Sequence, residues 1–219
     1  MALGTYKKLL FDLDNTLVNS SEIVLWAMRL WCQEHQVDLE RALKFGEGRR
    51  TEDTVKIVAP HLDSVIEAKK IEDLEARLLE NTKPIHGAQE FTQSIPKTEW
   101  AVVTSSSLKS VGPKLKAAKI LIPDVIVSAE CVKKGKPDPE PYKKAMEILG
   151  VLPNECLVFE DSDSGVESAI AAECRVVVIG NGVSVSHSNI IGIVQDFTYL
   201  TLTTNESLNE ITLWRLGSH

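Results

Sequence analysis

Short apolar runs alternate with helix-like segments over most of this chain. The runs are rich in β-branched and aromatic residues, and apolar runs of this length are typical of strands that are buried on both faces of a sheet. They cover residues 9–13, 100–103, 125–127, 157–159 and 176–179. Helical patterns separate the later runs, near residues 107–118, 139–149 and 164–173. Because alternating strands and helices form parallel sheets with right-handed crossovers, the pattern predicts an α/β fold built on a doubly wound parallel sheet.

Residues 19–82 lack such runs and show helical patterns instead. The last helical segment places its apolar residues on one face and its Glu and Lys residues on the other. The predicted helices lie near residues 20–36, 51–59 and 63–80. We therefore predict an all-helical domain, residues 19–82, inserted into a core domain made of residues 1–18 and 83–219.

The composition, with 43% hydrophobic and 25% charged residues, is that of a globular chain and excludes disorder and collagen-like structure. Lys and Arg number 24 against 31 Asp and Glu, which leaves a formal net charge of -7. The surface as a whole therefore repels nucleic acid and anionic membranes, and we expect neither as a partner. Any phosphate-binding site must be local. The sequence does not determine the oligomeric state, and a monomer is one option.

Four cysteines are spread over the sequence without a CxxC pair or a histidine at metal-binding spacing. This pattern argues against a zinc site and against a disulfide framework, and reduced thiols fit a cytoplasmic protein. The apolar stretch near the amino end is broken by Asp12 and Asp14, so we predict no secretion signal and no membrane span. The last residues, 216–219, resemble the start of a cloning tag.

Polar residues follow four of the predicted strands, at the point where each strand ends. The carboxyl ends of parallel strands meet at one edge of a sheet, and this edge is where open α/β sheets carry their sites. The first strand ends in Asp12 and Asp14, and Lys136 follows the third. Residues 104–107, a row of one Thr and three Ser, follow the second strand, and Glu160 and Asp161 end the fourth.

This arrangement of charges predicts a metal site and a phosphoryl-transfer site. Asp12, Asp14, Glu160 and Asp161 would concentrate negative charge that does not ionise fully without a counter-ion, and Mg²⁺ binds through a few carboxylates while leaving room for a substrate phosphate. One carboxylate can attack phosphorus and form an aspartyl phosphate, and the second, two residues on, can act as acid and base. A cation such as Lys136 and a neighbouring hydroxyl group can stabilise the phosphoryl oxygens.

Four motifs then carry a resemblance to a known family: residues 11–17 (FDLDNTL), 102–106 (VVTSS), 135–139 (GKPDP) and 159–165 (FEDSDSG). Together they resemble the haloacid-dehalogenase-like (HAD) hydrolase superfamily, and the resemblance covers nearly the whole chain. Within this resemblance, three stretches are similar to the fungal glycerol-3-phosphatase and 2-deoxyglucose-6-phosphatase group. They are GRRT at 48–51, EWAVVTS at 99–105 and GKPDPEPY at 135–142.

The resemblance implies a Rossmann-like core with a helical cap and a Mg²⁺-dependent phosphomonoesterase that acts on a small phosphorylated polyol or sugar. Asp12 would be the nucleophile and a metal ligand, and Asp14 the acid/base and a metal ligand through its backbone carbonyl. Thr104 and Lys136 would bind the phosphoryl group. Asp161, together with Glu160, would bind the magnesium. One departure is Asn15, where the family more often has Gly.

Further substrate contacts are expected from Thr16, Ser105 and Ser106 in the core and from Arg49 and Arg50 in the insert. Each has a simpler alternative, because serines after a strand often cap the next helix and most arginines are surface residues. A simpler alternative also exists for Glu160 and Asp161, since acidic residues at the start of a helix complement its dipole.

Other functions use the same residues. A β-phosphoglucomutase-like enzyme would keep its phosphoenzyme from water and return the phosphoryl group to the sugar, with Arg49 on the distal phosphate. A dehalogenase would need neither a proton donor at Asp14 nor magnesium, which makes this reading the weaker one. A non-catalytic binding or regulatory protein on the same scaffold is a third alternative, against which the complete set of catalytic groups argues.

Overall fold

A six-stranded parallel sheet forms the centre of the computed structural model, which describes residues 1–205 and 207–217. The tag-like residues 218 and 219 lie outside this range. In spatial order the strands are β6 (Val125–Val127), β5 (Trp100–Val103), β2 (Lys8–Phe11), β7 (Cys156–Glu160), β8 (Arg175–Ile179) and β9 (Ile190–Val194). The predicted doubly wound parallel sheet is confirmed, and β9 is an additional strand that the sequence did not indicate.

The two faces of the sheet carry separate apolar clusters because alternate residues of a strand point to opposite sides. Leu9 and Phe11 pack on one face beneath α5 (Ala88–Gln93) and α6 (Leu108–Ala117). Leu10 lies in the cluster of the other face, with residues of the remaining core helices. These are α7 (Glu140–Leu149) and α8 (Asp163–Ala171). Helices on both faces leave the carboxyl edge of the strands free for a site.

A group of four helices, which we call the helical insert, lies between β3 (Val18–Asn19) and β4 (Lys83–Pro84). Its buried residues form an apolar cluster of their own. The helices are α1 (Ser21–His35), α2 (Leu39–Gly46), α3 (Thr51–Val58) and α4 (Ser64–Glu75). The short helix α2, which begins after the N-cap Asp38, was not predicted from the sequence.

Helix α4 is shorter than the predicted segment 63–80. From Arg77 onward the backbone amides donate to carbonyls three residues back, as Leu78 does to Glu75, and a 3₁₀ turn follows at Leu79–Asn81. Such tightening is common where an α-helix ends. The end of α4 brings Glu75 to the cavity that Asp12 and Asp14 also line.

A second sheet, which the sequence analysis did not predict, covers part of the core. Its antiparallel strands, in spatial order, are β1 (Ala2–Tyr6), β11 (Glu210–Arg215) and β10 (Leu200–Asn205). Ile211 and Leu213 of β11 are buried in the same apolar cluster as Phe11 of the central sheet. The expected free thiols agree with the structure, in which all four cysteines are unpaired. No helix within the described ranges has the length and apolar character needed to cross a membrane.

Candidate active site

A cavity of about 460 Å³ opens at the carboxyl edge of the central sheet, between the core and the helical insert. Asp12, Asp14, Thr104 and Asp161 line its floor, and side chains of the insert line its other wall. The strand ends that carry the predicted polar residues therefore do meet in one place. Asn15, beside them, has φ 60°, a left-handed conformation that Asn adopts more readily than most residues.

Lys136 is the buried centre of the charge network, although it stands on a loop. Its Nζ donates to Asp12 Oδ1 at 2.6 Å, to Glu160 Oε1 at 2.5 Å and to the backbone carbonyl of Val103 at 3.0 Å. Burial by itself would lower the pKa of Lys136, but the charges of Asp12 and Glu160 outweigh it and raise the pKa. All three ammonium protons thus have protein acceptors, so the side chain orients the Asp12 carboxylate.

Glu160 is fully buried, and both of its carboxylate oxygens accept hydrogen bonds. Besides Lys136, the hydroxyl of Tyr142 donates to Oε1 at 2.7 Å, and the Asp161 amide donates to Oε2 at 3.1 Å. A Cβ at Gly165 would collide with this carboxyl group, so the start of α8 must have Gly there. Glu160 therefore fixes Lys136 as well as being one of the predicted metal ligands.

Three carboxyl groups, which we call the acidic trio, belong to Asp12, Glu160 and Asp161. One oxygen of each lies within 4.8 Å of the others, and this is a suitable donor set for a divalent cation. Burial, with the charges of Glu160 and Asp14, raises the pKa of Asp12 to about 7 against the opposing effect of Lys136. Burial and the charges of Asp12 and Glu160 raise the pKa of Asp161 well above its usual range. Carboxyls that resist ionisation so strongly are stabilised by a bound cation, and these residues fit one.

Asp14 is held by a second buried lysine. Lys114 Nζ and Ser20 Oγ each donate to Asp14 Oδ1 at 2.6 Å, and Ser106 Oγ donates to Oδ2 at 2.6 Å. Burial alone would raise the pKa of Asp14, but Lys114 and the three hydrogen bonds lower it overall. The side chain is thus an ionised base that lies outside the group formed by Asp12, Glu160 and Asp161, and its backbone carbonyl stays the predicted metal ligand.

The predicted hydroxyl residues have different partners. Thr16 Oγ1 donates to Asp161 Oδ1 at 3.3 Å, so it supports a metal-site carboxylate. Thr104 is buried at the cavity floor, and its Oγ1 accepts from the Ser106 amide at 3.0 Å. Ser105 Oγ donates to the backbone carbonyl of Gly48 at 2.8 Å, which makes it a contact between core and insert. Only some of these groups are therefore placed to reach a phosphoryl group.

The structure separates the two predicted arginines. Arg49 lines the cavity. Arg50 binds Asp53 through two nitrogens, at 2.6 and 3.0 Å, and donates to the Val132 carbonyl at 3.3 Å. Arg50 does not line the cavity, and these acceptors occupy its guanidinium group. The structure therefore gives no support to its predicted role as a substrate ligand.

Several residues of the site were missed by sequence reasoning, namely Ser20, Glu75, Lys114 and Tyr142. Lys114 had a readable signal, because it lies next to Val111 and Leu115 on the buried face of a predicted helix, where a lysine is unusual. Glu75 had none, since it looks like any other acidic residue of an amphipathic helix. Burial raises its pKa to about 7.

Comparisons with known proteins identify relatives of this chain. Residues 9–179 match the family model described as haloacid dehalogenase-like hydrolase. Hexitol phosphatase A of Escherichia coli (strain K12) is 33% identical over 193 residues, which are 86% of this chain and 89% of that protein. Glycerol-1-phosphate phosphohydrolase 1 of Saccharomyces cerevisiae is 30% identical over 78% of this chain and 73% of its own length.

A solved structure shares the fold. The structure of CbbY from Rhodobacter sphaeroides in complex with phosphate has a TM-score of 0.75 and 22% identity, and the match covers 88% of this chain and 95% of that one. The resemblance carried by the sequence motifs is thus confirmed. The chain belongs to the haloacid dehalogenase-like hydrolase family.

Proposed function

We propose that this protein is a Mg²⁺-dependent phosphatase that hydrolyses a small phosphorylated polyol or sugar through an aspartyl phosphate. The observation that carries the proposal is the position of Asp12, which is buried at a strand end between the Lys136 ammonium and the carboxyls of Glu160 and Asp161. The named phosphatase relatives support the reaction class. The free cysteines support a cytoplasmic location.

Asp12 is the proposed nucleophile. One of its carboxylate oxygens attacks phosphorus, the new O–P bond forms, and the bond from phosphorus to the alcohol oxygen breaks. Asp14 gives its proton to the departing alkoxide. It then takes a proton from the water that attacks the aspartyl phosphate, so inorganic phosphate leaves and both carboxyl groups return to their starting state. Because Lys114 keeps Asp14 ionised in the free protein, the proton that Asp14 donates arrives with the substrate, as the proton of a phosphate monoanion. It leaves with the alcohol, and the proton that Asp14 takes from water leaves with inorganic phosphate.

The magnesium ion would be held by carboxylate oxygens of Asp12, Glu160 and Asp161 and by the backbone carbonyl of Asp14. When bound, Mg²⁺ neutralises the phosphate oxygens and lets the carboxyls of the trio stay ionised. Lys136 orients Asp12 and offers positive charge close to the phosphoryl group. Thr104 and Ser106 provide hydroxyl groups beside the same position.

The helical insert is proposed to act as the cap, with residues 19–82 as one domain and residues 1–18 and 83–219 as the other. Its loop at residues 47–49 is held against the core, since Ser105 donates to the Gly48 carbonyl and Ser164 to the Glu47 carbonyl at 2.7 Å. Gly48 has φ 69°, and a Cβ there would collide with the hydroxyls of Ser162 and Ser164. A cap held this closely excludes bulk water from the site.

The test is release of inorganic phosphate from a panel of monoesters, from glycerol phosphates to hexitol and hexose 6-phosphates. Turnover is expected with Mg²⁺, and its loss is expected after EDTA, with recovery when Mg²⁺ is restored, because the acidic trio repels phosphate without a cation. Treatment with EDTA already saturated with Mg²⁺ is the control. Phosphate release at the same rate without a divalent ion would contradict the proposed metal role.

The same assay distinguishes a phosphatase from the alternative, a mutase. A mutase converts a sugar phosphate to its isomer without net phosphate release, whereas a phosphatase releases inorganic phosphate in amounts equal to the alcohol. Isomer formation without phosphate would replace the proposed reaction by phosphoryl transfer within the cavity. A folded protein that processes no ester at all would favour a binding protein.

The arginine pair gives a further prediction. Arg49→Ala is expected to raise KM about tenfold, because a charge-assisted hydrogen bond to an anionic substrate is worth about 1.5–3 kcal/mol. Arg50→Ala is the matched control and is expected to lower thermal stability with little change in KM, since its partners are Asp53 and Val132. Steady-state kinetics and thermal unfolding of both variants measure this, and the reverse pattern of KM values would refute it.

A further inference from the structure

A donor and an acceptor face the cavity on the side of Asp14, and the reaction described above uses neither of them on substrate. Lys114 comes from α6 of the core, and Glu75 is the last residue of α4 in the helical insert. Both line the cavity. They come from different domains, so a substrate enclosed between cap and core would lie between them.

Lys114 has one unused proton. Its side chain is 1% exposed, and its Nζ donates to Asp14 Oδ1 at 2.6 Å and to Ser106 Oγ at 3.0 Å. An ammonium group carries three protons, and the third has no acceptor among the residues that the structure describes. A buried donor without an acceptor is costly, so a substrate oxygen that supplied one would be bound favourably.

Glu75 has unused acceptor capacity on the same side. The side chain is partly buried, and it makes no hydrogen bond or ion pair with any residue in the described ranges. Lys114, Asp14, Glu72 and Lys109 are the charged groups near it. Lys109 is already paired with Glu72 at 3.3 Å, and Lys114 with Asp14, so neither lysine is committed to Glu75.

We propose that Lys114 and Glu75 form a hydroxyl-binding subsite that selects phosphate monoesters whose alcohol carries a free hydroxyl group near the ester oxygen. The inference rests on the proposed phosphatase function and deepens it. Asp14 lies at the leaving oxygen in that reaction, and Lys114 touches Asp14, so the subsite adjoins the first carbons of the alcohol. A hydroxyl group both accepts and donates, and it can satisfy Lys114 and Glu75 together.

The charges of the subsite also predict which phosphate esters it disfavours. An alkyl chain would leave the Lys114 donor and the Glu75 acceptor desolvated and unpaired, and sites of this kind discriminate strongly against analogues that lack the hydroxyl. A carboxylate or a second phosphate in the same place would be repelled by Glu75 and Asp14. The subsite therefore favours polyol monophosphates over alkyl phosphates, phosphorylated hydroxy acids and bisphosphates.

Matched substrate pairs test the proposal. The kcat/KM of the wild-type protein is measured on a glycerol phosphate and propyl phosphate, and on a hexitol phosphate and hexyl phosphate, all with Mg²⁺. We expect a ratio of at least about 10 in favour of the hydroxylated ester of at least one pair. In Glu75→Leu that ratio is expected to fall about tenfold or more, and in the isosteric Glu75→Gln, whose amide still accepts, it is expected to fall less.

Glu80→Leu is the matched control, because Glu80 is an exposed carboxylate of the same domain, close to Glu75 in sequence. It is expected to keep the wild-type ratio. The subsite would be overturned if the kcat/KM ratio were equal in the wild type and Glu75→Leu, or if it fell equally in Glu80→Leu. Neither result would contradict the proposed phosphatase function. A wild-type protein that hydrolysed no ester of either kind would overturn the proposed function, and the subsite with it. Glu75→Gln supplies the comparison if Glu75→Leu does not fold.

Discussion

Asp12→Asn is expected to lower phosphate release by at least about 10³-fold, because loss of a covalent nucleophile removes the whole two-step route. The amide keeps the size of the carboxylate but is not a nucleophile for phosphorus. The substitution also removes one negative charge from the group formed by Asp12, Glu160 and Asp161. The measurement is kcat on the best ester of the panel at saturating Mg²⁺, so that weaker metal binding does not imitate loss of the nucleophile.

Asp163→Asn is the matched control for this variant. Asp163 follows the neighbouring strand β7, but its carboxylate accepts from the backbone amides of Ser184 and Val185, at 2.6 and 3.1 Å, and so holds a loop. The change is expected to keep most of the turnover. If Asp12→Asn retained more than a few per cent of wild-type kcat while remaining folded, another group would have to be the nucleophile.

The parallel sheet and its polar edge could be predicted from the sequence because buried parallel strands are short continuous apolar runs. The apolar runs 100–103 and 125–127 coincide with β5 and β6. Polar residues follow each run directly, and they mark the end of the strand. Asp12, Lys136 and Asp161 could be grouped without coordinates, because the topology brings the carboxyl ends of neighbouring strands together.

The second sheet could not be predicted in the same way. Strand β1 at the amino end pairs with β11, more than 200 residues later, and no local pattern specifies such a pairing. Strand β10 is rich in Thr and alternates only loosely between apolar and polar residues. Pairing and burial against the core stabilise these strands, and both are properties of the tertiary structure.

The partners of individual site residues were also beyond sequence reasoning. Lys136 is predicted to bind the phosphoryl group, but the sequence could not show that its ammonium group also contacts Asp12, Glu160 and the Val103 carbonyl. Its position on the loop was readable, but the direction of a side chain depends on neighbours that are far apart in sequence. The same holds for Lys114, which reaches Asp14 across 100 residues.

Lys136→Met is expected to lower the free energy of unfolding by about 3–5 kcal/mol near pH 8 in EDTA, because removal of one partner leaves buried charges uncompensated. The side chain is 0% exposed and is the shared partner of Asp12 and Glu160, so solvent cannot replace the lost ammonium group. Methionine fills a similar volume, and the loss is therefore one of charge. Turnover is expected to fall as well, since Asp12 loses the donor that orients it.

The loss should depend on pH in a definite direction. Burial already raises the pKa of Asp12 to about 7 with Lys136 present, and without the ammonium group the pKa rises further. A carboxyl whose pKa is raised by folding contributes stability that is present at low pH and lost as the pH rises. The variant should therefore lie nearer the wild type at pH 5.5 than at pH 8.

Urea denaturation at both pH values measures the two effects, with Lys134→Met as the matched control. Lys134 is two residues away, its side chain is 74% exposed, and its ion pair with Asp138 spans 3.5 Å, so its loss should cost less than about 1 kcal/mol at either pH. Two outcomes would contradict the prediction. One is that Lys136→Met loses as little free energy of unfolding at pH 8 as the control, and the other is that its loss is larger at pH 5.5 than at pH 8. Either result would mean that the carboxyls beside Lys136 do not rely on its charge. The network would then be held by hydrogen bonding alone, and the acidic trio would have to be stable without any cation.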